Sequence, residues 1–266
     1  MMEIRAKKSY GQHFLINESI AESIAGEAIE ISKKYPVLEI GPGKGVLTKY
    51  LYESMIRFIS VEADIEMIEY LHSKYQGIEL HLLFRDFLKL NFNDVFPDEE
   101  FVLFGNFPYN ISSQIIFKMI ENHGRIPALI GMFQKEVAER IVAGPGSKDY
   151  GILSVLTQAH YSGKIILRVK PGSFSPPPKV DSSVIRLERK ENPELDCNEK
   201  LFKSIVKITF NQRRKMIRNT LKSIVNDSDF LQDEFFNNRP EQLSLEDFVY
   251  LTNIIEQKTN KYELGR

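Results

Sequence analysis

Apolar runs separated by helical periodicity fill roughly the first 190 residues of this chain, and beyond that point the periodicity is helical alone. Five short runs read as strands: Val37-Leu38-Glu39-Ile40, a first parallel strand, Arg57-Phe58-Ile59-Ser60-Val61, Glu79-Leu80-His81-Leu82-Leu83-Phe84, Phe101-Val102-Leu103-Phe104, which reads as buried on both faces, and Ala128-Leu129-Ile130-Gly131-Met132-Phe133. Helices are predicted after an Asn17 cap, with Ile20, Ile24, Ala28 and Ile31 on one stripe, from near Val46, over Ser112 to Glu121, over Gln134 to Arg140 and over Gly151 to Tyr161. Lys164 to Val169 and Ser182 to Leu187 read as two more strands. Strands alternating with helices predict an α/β fold around a mostly parallel sheet.

The pattern changes at Glu191-Asn192-Pro193-Glu194, which reads as a linker. Past it, Phe202, Ile205 and Val206 form one apolar stripe, and Ile217, Leu221, Ile224 and Val225 another. A last helix carries Leu245, Phe248, Val249 and Ile255, with Ser244 as its cap and Asp247 completing a partial capping box. The expected organisation is therefore an α/β domain over residues 1–190 and a small all-α domain over residues 191–266.

Composition narrows the function classes. Apolar residues make up 42% and charged residues 27%, as in a water-soluble globular protein. The lack of any long apolar run and of an apolar core near the amino terminus predicts a cytoplasmic protein without membrane attachment. Cys197 is the single cysteine, so no internal disulfide forms, and the five histidines are too scattered to place a ligand pair on one element; no metal is expected. The net charge of −1 conceals an uneven distribution: residues 200–222 carry Lys200, Lys203, Lys207, Arg213, Arg214, Lys215, Arg218 and Lys222 with no acid among them. Arg214, Arg218 and Lys222 are predicted to share one helix face. Arg5, Lys7 and Lys8 form a smaller basic cluster. Such runs are either solvated faces or an electrostatic footprint for nucleic acid.

Candidate chemistry gathers where the predicted strands end, which in open α/β sheets is where ligands bind. Gly41-Pro42-Gly43-Lys44-Gly45 follows the first strand; it is either a nucleotide loop or a tight turn, and it matches neither the phosphate loop nor a full dinucleotide fingerprint. Glu62 ends the second strand, either to accept from ribose hydroxyls or as a charge at the start of a helix. Asp86 and Phe87 follow the third, suited to an adenine amino group and its face. Gly105-Asn106-Phe107-Pro108-Tyr109-Asn110 follows the fourth: Pro108 stops the strand, the Asn106 amide oxygen and the Pro108 carbonyl can accept from an exocyclic amine, and Tyr109 can stack on a base. Later, Phe174-Ser175-Pro176-Pro177-Pro178 stiffens a loop that makes Phe174 either a second stacking wall or a core plug.

Taken with Gly11-Gln12-His13-Phe14-Leu15 and Phe210-Asn211-Gln212-Arg213-Arg214-Lys215, these motifs are similar, in order and spacing, to those of the small-subunit ribosomal RNA adenine N6-dimethyltransferases. The resemblance runs over nearly the whole chain. It implies a Rossmann-like methyltransferase fold with a seven-stranded sheet, S-adenosylmethionine as cofactor, and no metal. The implied partner is 16S rRNA in the immature small ribosomal subunit, and the implied state a monomer. The implied task is to place two methyl groups on each of two adjacent adenosines in a hairpin loop near the 3′ end of that RNA. In the cofactor site the resemblance places His13, Leu15, Glu39, Gly41, Gly43, Glu62, Asp86, Phe87 and Asn106. Asn106 and Pro108 would hold the target amine, and Tyr109 and Phe174 would sandwich the base. Arg213, Arg214, Lys215, Arg218 and Lys222 would meet RNA. Two residues depart from the family's usual pattern: His13 replaces Asn, and Phe107 replaces Leu. If Phe107 points into the pocket it restricts the second methylation, and if it points into the core it changes nothing. The competing implications are a large-subunit rRNA methyltransferase of the antibiotic-resistance type and a non-catalytic RNA-binding assembly factor.

Overall fold

The computed structural model describes residue 7, residues 10–225 and residues 227–263, with side chains through Thr259. These residues divide into two compact units: one holds the described residues to Ala138 together with Gly163–Arg189, the other Glu139–Ser162 together with the described residues from Lys190 onward.

The first unit opens with a two-residue strand, β1 (Phe14–Leu15), and the helix α1 (Glu18–Ser32). Asn17 caps α1 as expected, its Oδ1 accepting from the Ile20 amide at 3.1 Å, and Ala21, Ile24, Ala25 and Ala28 form the buried face. There follow β2 (Val37–Ile40), α2 (Thr48–Glu53), β3 (Phe58–Glu62), α3 (Ile65–Lys74), β4 (Leu82–Phe84), β5 (Val102–Asn106), α4 (Ser112–Glu121), β6 (Ala128–Gln134) and α5 (Lys135–Val142), whose end passes into the second unit. The helix α6 (Ile152–His160) belongs to the second unit, and β7 (Tyr161–Val169), β8 (Phe174–Ser175) and β9 (Ser182–Arg189) return the chain to the first. Seven strands form one sheet in the order β4-β3-β2-β5-β6-β9-β7. The first five run parallel, and β9 is antiparallel to β6. The run read as buried on both faces is so, with Val102 to Gly105 of β5 buried, and every residue of β2 is buried as well, whereas β4 is only partly buried.

In the first unit two features differ from the sequence reading. The third strand is only Leu82–Phe84, because Gly77, at φ 82°, turns the chain into a 3-10 helix over Ile78–His81 that leaves Leu80 80% exposed. The His81 ring is held there by stacking on Phe58 at 4.4 Å and donating to the Phe58 carbonyl at 3.0 Å. The second is a small sheet with no periodic signal of its own: β1 pairs antiparallel with β8, setting Phe14 opposite Ser175 and Leu15 opposite Phe174.

The second unit is helical, built from α6, α7 (Glu199–Phe210), α8 (Ile217–Leu221) and α9 (Leu245–Glu263). It begins earlier than the expected boundary at residue 190, because the buried Leu153, Val155 and Leu156 of α6 pack against α7 and α9. Tyr150 meets Phe210 edge-on at 5.9 Å, and Phe210 stacks on Phe248 at 5.8 Å. The capping box of α9 is complete: Asp247 Oδ2 accepts from the Ser244 amide at 2.8 Å, and Ser244 Oγ from the Asp247 amide at 3.1 Å. The expected basic helix face is not formed. The helix α7 stops at Phe210, residues 211–216 turn, and α8 has only one turn, with Lys222 at its carboxyl cap. Arg214, Arg218 and Lys222 therefore do not lie on one helix. Among the described residues, no helix is long and apolar enough to cross a membrane.

Candidate active site

A cavity of about 600 Å³ lies in the first unit, at the carboxyl ends of β2, β3, β4 and β5 and under the segment that leads into β1. Around it the structure brings together His13, Leu15, Glu39, Gly41, Gly43, Glu62, Asp86, Phe87, Asn106, Pro108 and Tyr109. They converge from several strand ends because a parallel sheet aligns those ends on one side.

Glu62, the last residue of β3, is 6% exposed and held by three backbone donors: Oε1 accepts from the amides of Ala63 and Asp64, both at 2.9 Å, and Oε2 from Gly43 at 3.2 Å. Burial pushes its pKa up, and these three amides work against that shift by favouring the carboxylate. With two lone pairs on each oxygen, Oε2 retains one acceptor position for a ligand. The segment carrying His13 is anchored beside it. Lys7 Nζ bridges Asp64 Oδ1 at 2.8 Å and Glu66 at 3.0 Å, and Gln12 Nε2 donates to Asp64 Oδ2 at 3.1 Å. Arg5 and Lys8 of that basic cluster lie outside the described residues.

Glu39 borders the cavity, but its carboxyl group serves the scaffold. Ser60 Oγ of β3 donates to Oε2 at 2.5 Å and Thr48 Oγ1 of α2 to Oε1 at 3.1 Å, so one side chain joins both ends of the glycine loop to the neighbouring strand. Burial raises its pKa to about 7. Asp86, by contrast, has a half-exposed side chain; Oδ1 caps the following 3-10 turn by accepting from Leu88 at 2.9 Å.

The amide of Asn106 has a defined orientation. Nδ2 donates to the His13 carbonyl at 2.9 Å, and since a carbonyl can only accept, Oδ1 is the atom left to receive a ligand's N–H. The His13 ring stacks on Tyr109 at 5.3 Å and 29° and donates from Nδ1 to the Pro176 carbonyl at 2.9 Å. Burial raises the Tyr109 pKa, while its hydroxyl pairs with Ser182 Oγ at 2.5 Å and this bond favours the opposite direction. The Pro108 carbonyl, read from the sequence as an acceptor that no ladder uses, already accepts from the Ile111 amide and from Ser112 Oγ, both at 3.2 Å. A ligand amine reaches it only by displacing one of these donors.

Phe174 is not among the residues around the cavity; it is 3% exposed and lies in the hydrophobic core with Leu15, its partner across β1 and β8. The ring facing Tyr109 is that of His13. Phe107 borders the cavity through the chain, but its ring is turned into the core, 4.9 Å from Phe133. It fits because Gly105 and Gly131, paired across β5 and β6, present no Cβ: one on Gly131 would sit 2.0 Å from Phe107 Cε2.

The basic candidates lie in the second unit. Arg213 is committed to structure, donating to the carbonyls of Lys148 at 2.8 Å and Ser147 at 3.0 Å; Arg218 is half-buried, while Arg214, Lys215 and Lys222 are exposed. Sequence reasoning missed Phe84, which ends β4 at the cavity with 47% exposure, although an exposed aromatic residue at a strand end was a usable signal. It also missed Ser112 at the Pro108 carbonyl.

Residues 3–257 match the model of a family described as ribosomal RNA adenine dimethylase. The chain is 52% identical to ribosomal RNA small subunit methyltransferase A of Bacteroides thetaiotaomicron, over 97% of this chain and 96% of that protein. It is 49% identical to the Flavobacterium johnsoniae protein of the same name, over 96% and 98%. Among solved structures it resembles a dimethyladenosine transferase from Plasmodium falciparum, with a TM-score of 0.76 and 28% identity over 93% of this chain and 98% of that one. The 23S rRNA methyltransferase ErmE gives a TM-score of 0.66 and 25% identity over 90% and 99%. With the family model spanning nearly its whole length and half its residues shared with full-length relatives, the chain belongs to the ribosomal RNA adenine dimethylase family.

Proposed function

We propose that this chain dimethylates N6 of two adjacent adenosines in a hairpin loop near the 3′ end of 16S rRNA, using S-adenosylmethionine, during assembly of the small ribosomal subunit in the cytoplasm. The observation that carries the reading is the Asn106 amide, oriented by the His13 carbonyl so that Oδ1 is left to accept, beside Tyr109 at one end of the 600 Å³ cavity. Identity of about half to relatives named for the small subunit, against 25% to ErmE, favours the small-subunit target over the large. An oriented catalytic amide favours an enzyme over a purely RNA-binding assembly factor.

The lining fits a nucleoside joined to an amino acid. Glu62 has an acceptor position for a ribose hydroxyl, Asp86 and Phe87 suit an adenine edge and face, and Gly41 with the Leu15 and His13 segment closes the opposite end. When bound there, S-adenosylmethionine supplies an electrophilic methyl group. The chain's own residues do the rest. Asn106 Oδ1 accepts a hydrogen bond from one N6–H, favouring a pyramidal nitrogen whose lone pair is free of the ring. Rotation of Ser112 releases the Pro108 carbonyl for the second proton. Tyr109 offers a stacking face to a base that has left its own stack. The nitrogen, once it bears a fourth substituent, is acidic enough to lose a proton to water, so no strong base is required. Because the Phe107 ring lies in the core, it leaves room for a methylated amine, which supports dimethylation. The α/β part is the catalytic domain in this reading, and the helical part positions RNA.

Asn106→Ala tests the assignment. Expected is loss of N6,N6-dimethyladenosine from small-subunit rRNA by mass spectrometry, with S-adenosylhomocysteine still bound within about three-fold of the unmodified protein. An active variant overturns the role of Asn106, and an unmodified rRNA in cells holding the intact protein overturns the activity.

A further inference from the structure

The helix α4 begins at Ser112, directly after the Asn106-to-Ile111 stretch, and buries Ile115, Ile116, Met119 and Ile120. Within this apolar sequence stands Lys118. Lysine at such a place ordinarily extends its stem to put the ammonium in water. Lys118 Nζ instead donates to three backbone carbonyls of one loop, Phe87 at 2.8 Å, Leu88 at 3.0 Å and Leu90 at 2.7 Å. An ammonium has three N–H bonds, and all are used. The same cation lies over the rings of Phe87, at 5.2 Å, and Phe92, at 4.9 Å. The side chain is partly buried, and that burial lowers its pKa, with the charges of Asp86 and Glu121 opposing.

We infer that Lys118 is a positioning residue for the adenine end of the cofactor, holding the turn that carries Asp86 and Phe87 at a fixed place relative to the Asn106-to-Tyr109 stretch at the other end of the same helix. The inference rests on the proposed cofactor site. Its physical content is a division of labour. The turn's carbonyls point at Lys118, and its Leu88 amide is capped by Asp86 Oδ1 at 2.9 Å. With the carbonyls fixed by the ammonium, Asp86 spends Oδ1 on the turn, and Oδ2, whose contact with the exposed Lys89 ammonium is long at 4.0 Å, is left for a ligand. Without the ammonium, the Leu88 and Leu90 carbonyls lose this donor and the Phe87 carbonyl keeps only the Leu90 amide, at 3.1 Å; the turn rearranges towards water, and Asp86 and Phe87 move with it.

The test is calorimetric titration of S-adenosylhomocysteine into the intact protein and its Lys118→Met, Lys118→Arg, Asp86→Asn and Lys118→Met/Asp86→Asn variants, with steady-state methylation of small subunits. Lys118→Met is expected to weaken binding about ten-fold and raise KM for S-adenosylmethionine to match, with kcat falling far less; Lys118→Arg, which keeps the charge and its donors, recovers most of the affinity. The losses from Lys118→Met and Asp86→Asn are expected to be less than additive, because both act on one turn. If Lys118→Met does not fold, Lys118→Gln takes its place with the same expected direction. A fall in melting temperature with unchanged affinity and KM overturns the inference, as does full additivity. Failure of the unmodified protein to bind S-adenosylhomocysteine overturns instead the cofactor site itself.

Discussion

At the scale of single residues, the slot that receives Phe107 decides how the target-side stretch is held. The ring sits over Gly105 and Gly131, and a methyl group on Gly131 would lie 2.0 Å from Cε2 and 2.7 Å from both Cδ2 and Cζ. No rotamer adjustment of a few tenths of an ångström relieves three such clashes on a 1%-exposed ring. Gly131→Ala is therefore expected to destabilise the protein by about 3 kcal/mol or more in urea unfolding. Adding Phe107→Leu removes the colliding ring atoms and should restore most of that loss. A Gly131→Ala protein as stable as the original would mean that the ring has another place to go. Phe107 was visible in the sequence as a departure from the family, but its direction was not, because that depends on a glycine in another strand. Phe174 poses the same limit: a proline-stiffened loop fixes where the backbone runs, whereas pairing with Leu15 sends the ring into the core.

At the scale of elements, strands and helices were legible wherever burial imposes a period. Runs buried on both faces and the Asn17 and Ser244 caps carry their own signals. The strand β4 was legible but read three residues too long, because an edge position lets a 3-10 turn compete with it, and β1 with β8 form only through a partner more than 150 residues away. Glu39 shows how an element-level role is hidden from motif reading. It stands in the glycine-loop motif, yet its carboxyl group joins β2 to β3 and α2 through Ser60 and Thr48. Its pKa rises from 4.5 to about 7 on folding, so the native state keeps a proton that the unfolded chain releases between those values. The stability it contributes is full below pH 4.5 and is lost as the pH rises through 7. Glu39→Gln does not titrate. Between pH 5 and 8 the unmodified protein should therefore lose on the order of 3 kcal/mol more stability than Glu39→Gln, measured by chemical unfolding at both pH values. Parallel pH dependences would show that the carboxyl group is ionised throughout.

At the scale of the whole molecule, the chain keeps its cofactor candidates in one unit and its densest basic segment in the other. That separation was legible as a change in composition, but the unit's true extent was not, because α6 reveals its partners only by packing against α7 and α9. The structure also narrows which cations are available to RNA. Arg213 is spent on two backbone carbonyls, so reversing it would damage the fold as well as the charge, whereas Arg214, Lys215 and Lys222 are exposed. Reversal of those three to Glu should weaken binding of the rRNA hairpin at every salt concentration and reduce the slope of log affinity against log salt by about two to three, as expected when three phosphates lose the cations that neutralise them. Affinity for S-adenosylhomocysteine should stay where it was, since no residue of the first unit is touched. A salt slope that does not change would place the RNA-binding surface elsewhere, and an equal loss of both ligands would make the three cations part of the fold rather than of an RNA surface.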